Sequence, residues 1–340
     1  MKNIYDLTIN DLEEFLINNK EKKYRASQIF DWIYRKDTKD FSLMTNLGKD
    51  LINLLEDNFV FPNIKIIKEE KDLDVSKYLF KLSDGNLIEA VLMHHDYGES
   101  ICISSQVGCN MSCAFCESGR LKKVRNLTSG EMVYQIMLVI SLIDKKITHV
   151  VVMGIGEPFD NFDNLVKFID IINYNKGINL GSRHITVSTC GVVPRIYDFM
   201  KIGKEVNLAI SLHAATDEIR SKIMPINKIY NLEKLMMAVK DYLKYTNRRV
   251  TFEYIMLKGI NDRAEDAKNL AKLIRGINCY VNLIPYNETE NIGFKRSEMK
   301  TILNFYDILK KEKITVTIRR EFGSKVSAAC GQLRAKEVIR

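Results

Sequence analysis

Three cysteines, Cys109, Cys113 and Cys116, stand in one short segment, Gly108-Cys109-Asn110-Met111-Ser112-Cys113-Ala114-Phe115-Cys116. Their C-x3-C-x2-C spacing lets three thiolates close around one inorganic centre. A [4Fe-4S] cluster normally takes four cysteines, so three ligands leave one iron open to a small molecule, and an open iron is a catalytic feature. Structural zinc would instead need a fourth ligand to complete a closed tetrahedron. The nearest downstream histidine, His149, has no paired spacing that would provide it. Three unligated thiols this close together would be an oxidation liability without a metal.

Such a centre has to be positioned. From residue 99 onward, short β-rich runs (101–105, 147–153, 184–189, 206–212, 250–257, 280–284 and 314–318) alternate with amphipathic helical stretches such as 129–144, 232–245, 264–274 and 297–311. Alternation of this kind predicts a parallel sheet with right-handed crossovers, as an open sheet or an α/β barrel. In either architecture chemistry collects in the loops after the strands. Polar groups stand there: Gly154-Ile155-Gly156-Glu157-Pro158, Ser188-Thr189-Cys190-Gly191, Ser211-Leu212-His213 and Pro285-Tyr286-Asn287. Ahead of this part, residues 4–56 carry helical periodicity, and 64–93 alternate as strands around the turn Ser83-Asp84-Gly85-Asn86. The expected organisation is a helical module at 1–60, a β-hairpin extension at 61–98 and a catalytic α/β unit at 99–340.

Composition narrows the class. The 340 residues are 46% hydrophobic and 28% charged, which excludes disordered and fibrous chains and predicts a sizeable core. The longest apolar run, 132–143, falls short of the ~20 residues a membrane span needs. No secretory signal is visible, and seven cysteines, an odd number, argue against a disulfide framework and for a cytoplasmic protein with reduced thiols. The net charge of +8 permits a polyanionic partner without demanding one.

The cysteine spacing resembles that of radical S-adenosylmethionine (SAM) enzymes, and the likeness extends along nearly the whole chain to the RlmN/Cfr family of radical SAM RNA methyltransferases. It is carried by Tyr24-Arg25-Ala26-Ser27-Gln28-Ile29-Phe30, Cys102-Ile103-Ser104-Ser105-Gln106, Met153-Gly154-Ile155-Gly156-Glu157-Pro158 and Val187-Ser188-Thr189-Cys190-Gly191. Further matches are Ser211-Leu212-His213-Ala214, Met224-Pro225-Ile226-Asn227, Asn282-Leu283-Ile284-Pro285-Tyr286-Asn287 and Ala328-Ala329-Cys330-Gly331-Gln332-Leu333. Two stretches depart from the family pattern. Glu117-Ser118-Gly119 and Leu121-Lys122-Lys123 stand where a small residue plus Thr-Gly and then Gly-Phe are usual. Gly323-Ser324-Lys325-Val326-Ser327 stands where an acidic segment is usual.

The resemblance implies a partial (β/α)6 radical SAM barrel behind the helical module. It implies one [4Fe-4S] cluster on Cys109, Cys113 and Cys116, with SAM chelating the open iron and contacted by Gly156, Glu157, Ser188, Ser211, Leu212, His213 and Asn287. It further implies that one SAM methylates Cys330, that a second yields a 5′-deoxyadenosyl radical acting on that methyl group, and that Cys102 releases the methylated base by forming a disulfide with Cys330. Glu89 takes the position of the proton acceptor. The substrate implied is C2 of an adenosine in the peptidyl-transferase centre of 23S rRNA, with tRNA as a further target and flavodoxin or ferredoxin as electron donor. A Cfr-like enzyme would methylate C8 of the same adenosine, and a radical SAM enzyme could act on another RNA. A non-catalytic iron–sulfur RNA-binding protein would need neither Cys102 nor Cys330.

RNA contacts are expected from Lys22, Lys23, Arg25, Trp32, Tyr34, Arg35 and Lys36, from Arg120, Lys122, Lys123 and Arg125, and from Arg319, Arg320, Lys325 and Arg334, because phosphate contacts and stacking hold unpaired RNA. Cys190 and Cys279 read as small core residues.

Overall fold

The computed structural model describes residues 1–143, 145–289 and 292–319. The chain opens with β1 (Lys2–Asn3) and three helices, α1 (Ile9–Asn18), α2 (Arg25–Tyr34) and α3 (Lys49–Asn58). β2 (Phe59–Val60) closes this unit by pairing in parallel with β1. α1 starts where it does because Thr8 and Asp11 cap each other: the Thr8 hydroxyl accepts the Asp11 N–H and the Asp11 carboxylate accepts the Thr8 N–H. The helical period then buries Leu12, Leu16, Ile29, Phe30, Ile33, Leu51 and Leu55.

Four antiparallel neighbours follow: β3 (Lys65–Asp72), β4 (Val75–Lys81), β5 (Leu87–His95) and β6 (Gly98–Ile103). β7 (Gln106–Val107) and β8 (Arg125–Asn126) pair with each other and frame the cysteine segment. Then come α4 (Ser129–Ile143), β9 (Ile147–Val152), α5 (Phe162–Asn173), β10 (Ile185–Thr189), α6 (Val193–Phe199), β11 (Asn207–Ser211), α7 (Asp217–Ile223) and α8 (Leu232–Thr246). The described chain ends through β12 (Val250–Met256), α9 (Ala264–Leu273), β13 (Cys279–Pro285), α10 (Met299–Lys311) and β14 (Val316–Ile318).

One sheet of ten strands, ordered β14-β13-β12-β11-β10-β9-β6-β5-β4-β3, carries the architecture. From β6 to β14 the pairing is parallel, so the run-and-helix alternation has become a partial barrel whose end strands, β3 and β14, do not pair. β6 pairs antiparallel with β5 on one side and parallel with β9 on the other. The hairpin strands therefore continue the barrel sheet instead of forming a separate layer.

Strand register explains the side-chain pattern. Ile101, Ile103, Val150, Val152, Val187, Leu208, Ile210, Phe252 and Leu283 point outward into one apolar core with the helices. The alternate positions, aligned by register, are Cys102, Val151, Thr186, Ser188, Ser211, Glu253 and Asn282. Parallel strands covered by helices on both faces are apolar throughout. Here only one face is so covered, and the other lines a lumen.

Candidate active site

The cysteine segment is a tight loop between β7 and β8. Cys109 N–H donates to the Leu121 carbonyl and Cys116 N–H to the Cys113 carbonyl, while Ala114 N–H donates to the Ile223 carbonyl and ties the loop to α7. Gly108 has φ +74°, and a Cβ there would lie 2.2 Å from the Lys122 carbonyl oxygen, so only glycine fits. Cys109, Cys113 and Cys116 all line a cavity of about 130 Å³, open to solvent, together with Gly156, Glu157, Ser188, Ser211 and His213.

Burial pushes the Cys109 thiol up to about 12 and the Cys113 thiol well above its ordinary value. As bare thiolates they are disfavoured, and iron would supply the positive charge that reverses this. Among the described residues, no three His, Cys, Asp or Glu side chains converge as one metal ion would require. A cluster asks something different, one thiolate at each of three irons. The donor set fits that group.

Strand-end loops form the rest of the wall. Gly154 N–H donates to the Ile103 carbonyl, and a Cβ on Gly154 would sit 2.7 Å from that backbone, so β6 and the loop after β9 meet without a side chain between them. Glu157 is buried with its oxygens accepting the N–H groups of Phe159 (3.0 Å) and Cys190 (2.8 Å). Burial raises its pKa, against the lowering effect of those bonds. Ser188 and Ser211 hydroxyls lie 3.4 Å apart. His213 accepts the Ile255 N–H on Nδ1 at 3.1 Å, and burial lowers its pKa to about 3. The ring is therefore neutral, with Nε2 carrying the proton and available as a donor.

Other expected residues stand differently. Leu212 buries its side chain in the core; its N–H donates to the Glu253 carbonyl and its own carbonyl accepts from Arg220. Asn287 is half-buried beyond β13 and is not part of the cavity wall. Cys102 is buried on the lumen face among Val75, Val91, Met93 and Ile155. Glu89 shares that face through the pairing of Val91 with Cys102; it is buried, with Lys77 Nζ 3.6 Å away. Cys330 lies outside the described residues, as do Arg320, Lys325 and Arg334.

The structure corrects several expectations. Tyr34 is buried against Tyr5 and Phe30, so it belongs to the core and cannot stack on RNA. Lys123 is tied to Asp160 and Arg125 to Asp84 and Glu131, which makes both braces of the cysteine loop. Arg319 lines the cavity, and Cys190 lies in its wall. A second chamber of about 1190 Å³ lies toward the N-terminal ends of the strands and shares Met153, Glu253 and Arg319 with the first. Glu253 and Arg220 were not singled out from sequence. Glu253 could have been, as a charge inside the apolar run Phe252-Glu253-Tyr254-Ile255, whereas Arg220 looks like any helix-surface arginine.

The Radical SAM superfamily model matches residues 103–274, and the model of the ribosomal RNA large subunit methyltransferase N-terminal domain matches residues 2–60. The chain is similar to a probable dual-specificity RNA methyltransferase RlmN of Listeria monocytogenes, 53% identical across 99% of this chain and 94% of that one. A relative of the same description from Acholeplasma laidlawii is 50% identical, across 98% of this chain and 99% of its own. The crystal structure of a radical SAM methyltransferase from Sphaerobacter thermophilus superposes with a TM-score of 0.93 at 40% identity, covering 99% of this chain and 100% of that one.

Proposed function

The chain belongs to the RlmN family of radical SAM RNA methyltransferases, and from that premise we propose that it methylates C2 of an adenosine in the peptidyl-transferase centre of 23S rRNA. The proposal extends to a second RNA substrate, as its relatives are dual-specificity RNA methyltransferases, and we take a tRNA adenosine as that substrate. The observation carrying the reading is the meeting of Cys109, Cys113 and Cys116 with Gly156, Glu157, Ser188, Ser211 and His213 around one cavity at the strand ends.

The ring carbon between two nitrogens of adenine is electrophilic, so direct attack on the methyl group of SAM is chemically mismatched. When bound, the [4Fe-4S] cluster and SAM supply the electron, the radical chemistry and the methyl group that bypass this mismatch. Cys109, Cys113 and Cys116 hold three irons and leave the fourth open. Glu157, which already accepts from the Phe159 and Cys190 N–H groups and from the Thr189 and Cys190 side chains, would exchange some of these donors for the SAM ammonium. Ser188, Ser211 and the Nε2–H of His213 would serve polar groups of the ligand. Cys330 would carry the one-carbon unit to the base and Glu89, beside Lys77, would take the proton from the resulting adduct; the Cys102 thiolate would then attack the Cys330 sulfur, so that the disulfide forms as the bond from that sulfur to the transferred carbon breaks and its electron pair leaves with the product, which takes up a proton.

The helical module, residues 1–60, holds the RNA. Exposed Lys22, Lys23 and Lys36, the last stacked over Trp32 at 3.4 Å, support this role. Flavodoxin or ferredoxin supplies electrons, in the cytoplasm.

The test is mass spectrometry of nucleosides from 23S rRNA after anaerobic reaction of the reconstituted protein with SAM and a reductant, with Cys330→Ala as control. We expect 2-methyladenosine, abolished in the control. 8-Methyladenosine would move the chain to C8 chemistry, and SAM cleavage without any methylated adenosine would reject the RNA assignment.

A further inference from the structure

Arg220 is the bulkiest fully buried side chain among the described residues, 0% exposed. It projects from α7, whose first turn is capped by the Thr216 hydroxyl. Among the described residues, every hydrogen bond it makes goes to a neutral oxygen. Nε donates to the Leu212 carbonyl (3.0 Å), Nη1 to Asn227 Oδ1 (2.9 Å), and Nη2 to the carbonyls of Cys190 (2.7 Å) and Ser211 (3.2 Å). The accepting carbonyls belong to the chain as it leaves β10 and β11, where the sheet no longer supplies donors and the cavity wall begins. One rigid fork therefore fixes two of the loops that line the site.

The charge is less well provided for than the hydrogen bonds. A guanidinium cannot shed its proton, and a buried cation without a counter-ion is costly. Asp217 is reached only at one remove, through Asn227, whose Nδ2 donates to Asp217 Oδ1 at 2.9 Å. Glu157 accepts the N–H of Cys190 while Arg220 donates to the carbonyl of the same residue. Cys190, whose carbonyl takes Nη2 at 2.7 Å, lines the same cavity as Cys113. α7 also holds the cysteine loop directly through the Ala114 N–H bond to Ile223.

We propose that Arg220 is a positioning residue with two tasks: its fork fixes the strand-end carbonyls around the cavity, and its charge offsets the anionic three-thiolate centre, favouring the reduced state of a cluster bound there. This rests on the reading that Cys109, Cys113 and Cys116 hold a cluster. Reduction adds one negative charge to that centre, so a buried cation nearby raises the reduction potential, and net charge and burial are among the levers that set such potentials.

The test compares wild type, Arg220→Lys and Arg220→Met, each reconstituted anaerobically with iron and sulfide. Iron content is measured, and the cluster is titrated with dithionite under electron paramagnetic resonance. Arg220→Met is expected to load iron as the wild type does, with the reduced-to-oxidised ratio at fixed potential lowered about tenfold, ~59 mV for one electron. Arg220→Lys keeps the potential near that of wild type but binds SAM more weakly, because a point charge cannot bridge the same carbonyls. An unchanged potential in a fully loaded Arg220→Met protein overturns the proposal. Should Arg220→Met not fold, Arg220→Gln removes the charge while retaining two N–H donors. If both neutral variants fail to fold without iron while Arg220→Lys folds, the charge serves the empty chain and the proposal also falls. A wild-type protein that takes up no iron removes the cluster reading and this inference with it, whereas a loaded wild type with an unmoved variant removes the inference alone.

Discussion

Burial decides the protonation of His213 before any ligand arrives. Its Nδ1 is committed to the Ile255 N–H, and its pKa falls to about 3 from 6.5 because the charged ring would be desolvated. In the unfolded chain the ring takes a proton below 6.5, and in the folded one it does not until about 3. The folded state thus binds fewer protons, and its stability is lost as pH falls through that window, by at most about 1.4 kcal/mol per pH unit. His213→Asn is expected to flatten the acid side of the stability curve relative to wild type, measured as urea midpoints between pH 6.5 and 4. Asparagine tolerates the left-handed backbone at this position, φ +57°. Equal acid slopes in the two proteins would show that His213 titrates normally. The sequence placed His213 after a strand, but its neutrality depends on tertiary burial and on the Arg220 charge.

Strand ends show which features an element can reveal by itself. The switch from helical to alternating periodicity announced the sheet, and the charge-rich pattern of β3, Lys65 to Asp72, suits its place at the sheet edge. The close approach of β6 to the chain after β9 was not announced, because Gly154 needs no unusual φ and looks like any loop glycine. Its requirement comes from the Ile103 backbone 2.7 Å from where a Cβ would be. Gly154→Ala should push these two chain ends apart, at a cost on the order of 1–3 kcal/mol for overpacking. Because Gly156 and Glu157 follow immediately, SAM binding should weaken along with stability. Urea unfolding and equilibrium dialysis with SAM would check both, and wild-type values in each would refute the argument.

At the scale of the molecule, the helical module and the barrel share one apolar core, pinned by specific polar contacts. Tyr5 packs edge-on against Tyr34 and Tyr134, and Asp6 accepts the Gly130 N–H at 2.7 Å at the start of α4. A carboxylate at a helix N-terminus is favourable for the free N–H groups and the dipole there. Asp6→Ala should cost roughly 1.5–3 kcal/mol, the range for a hydrogen bond to a charged group. The module should become susceptible to limited proteolysis, and RNA affinity should fall while iron loading is retained. Loss of iron loading in step with RNA affinity would mean that the two units fold as one. The sequence by itself determined most of the elements and suggested the metal chemistry: thiolate spacing, capping pairs and periodicity are local properties, written within a few residues of one another. Only the tertiary structure decided which strand-end groups face the cavity. Leu212 turns into the core while its neighbour Ser211 faces the lumen, Arg125 and Lys123 become braces, Glu253 enters the wall, and Arg220 is buried among neutral acceptors of the described residues. Burial and charge pairing arise from register between strands far apart in the chain, and no window of sequence contains both partners.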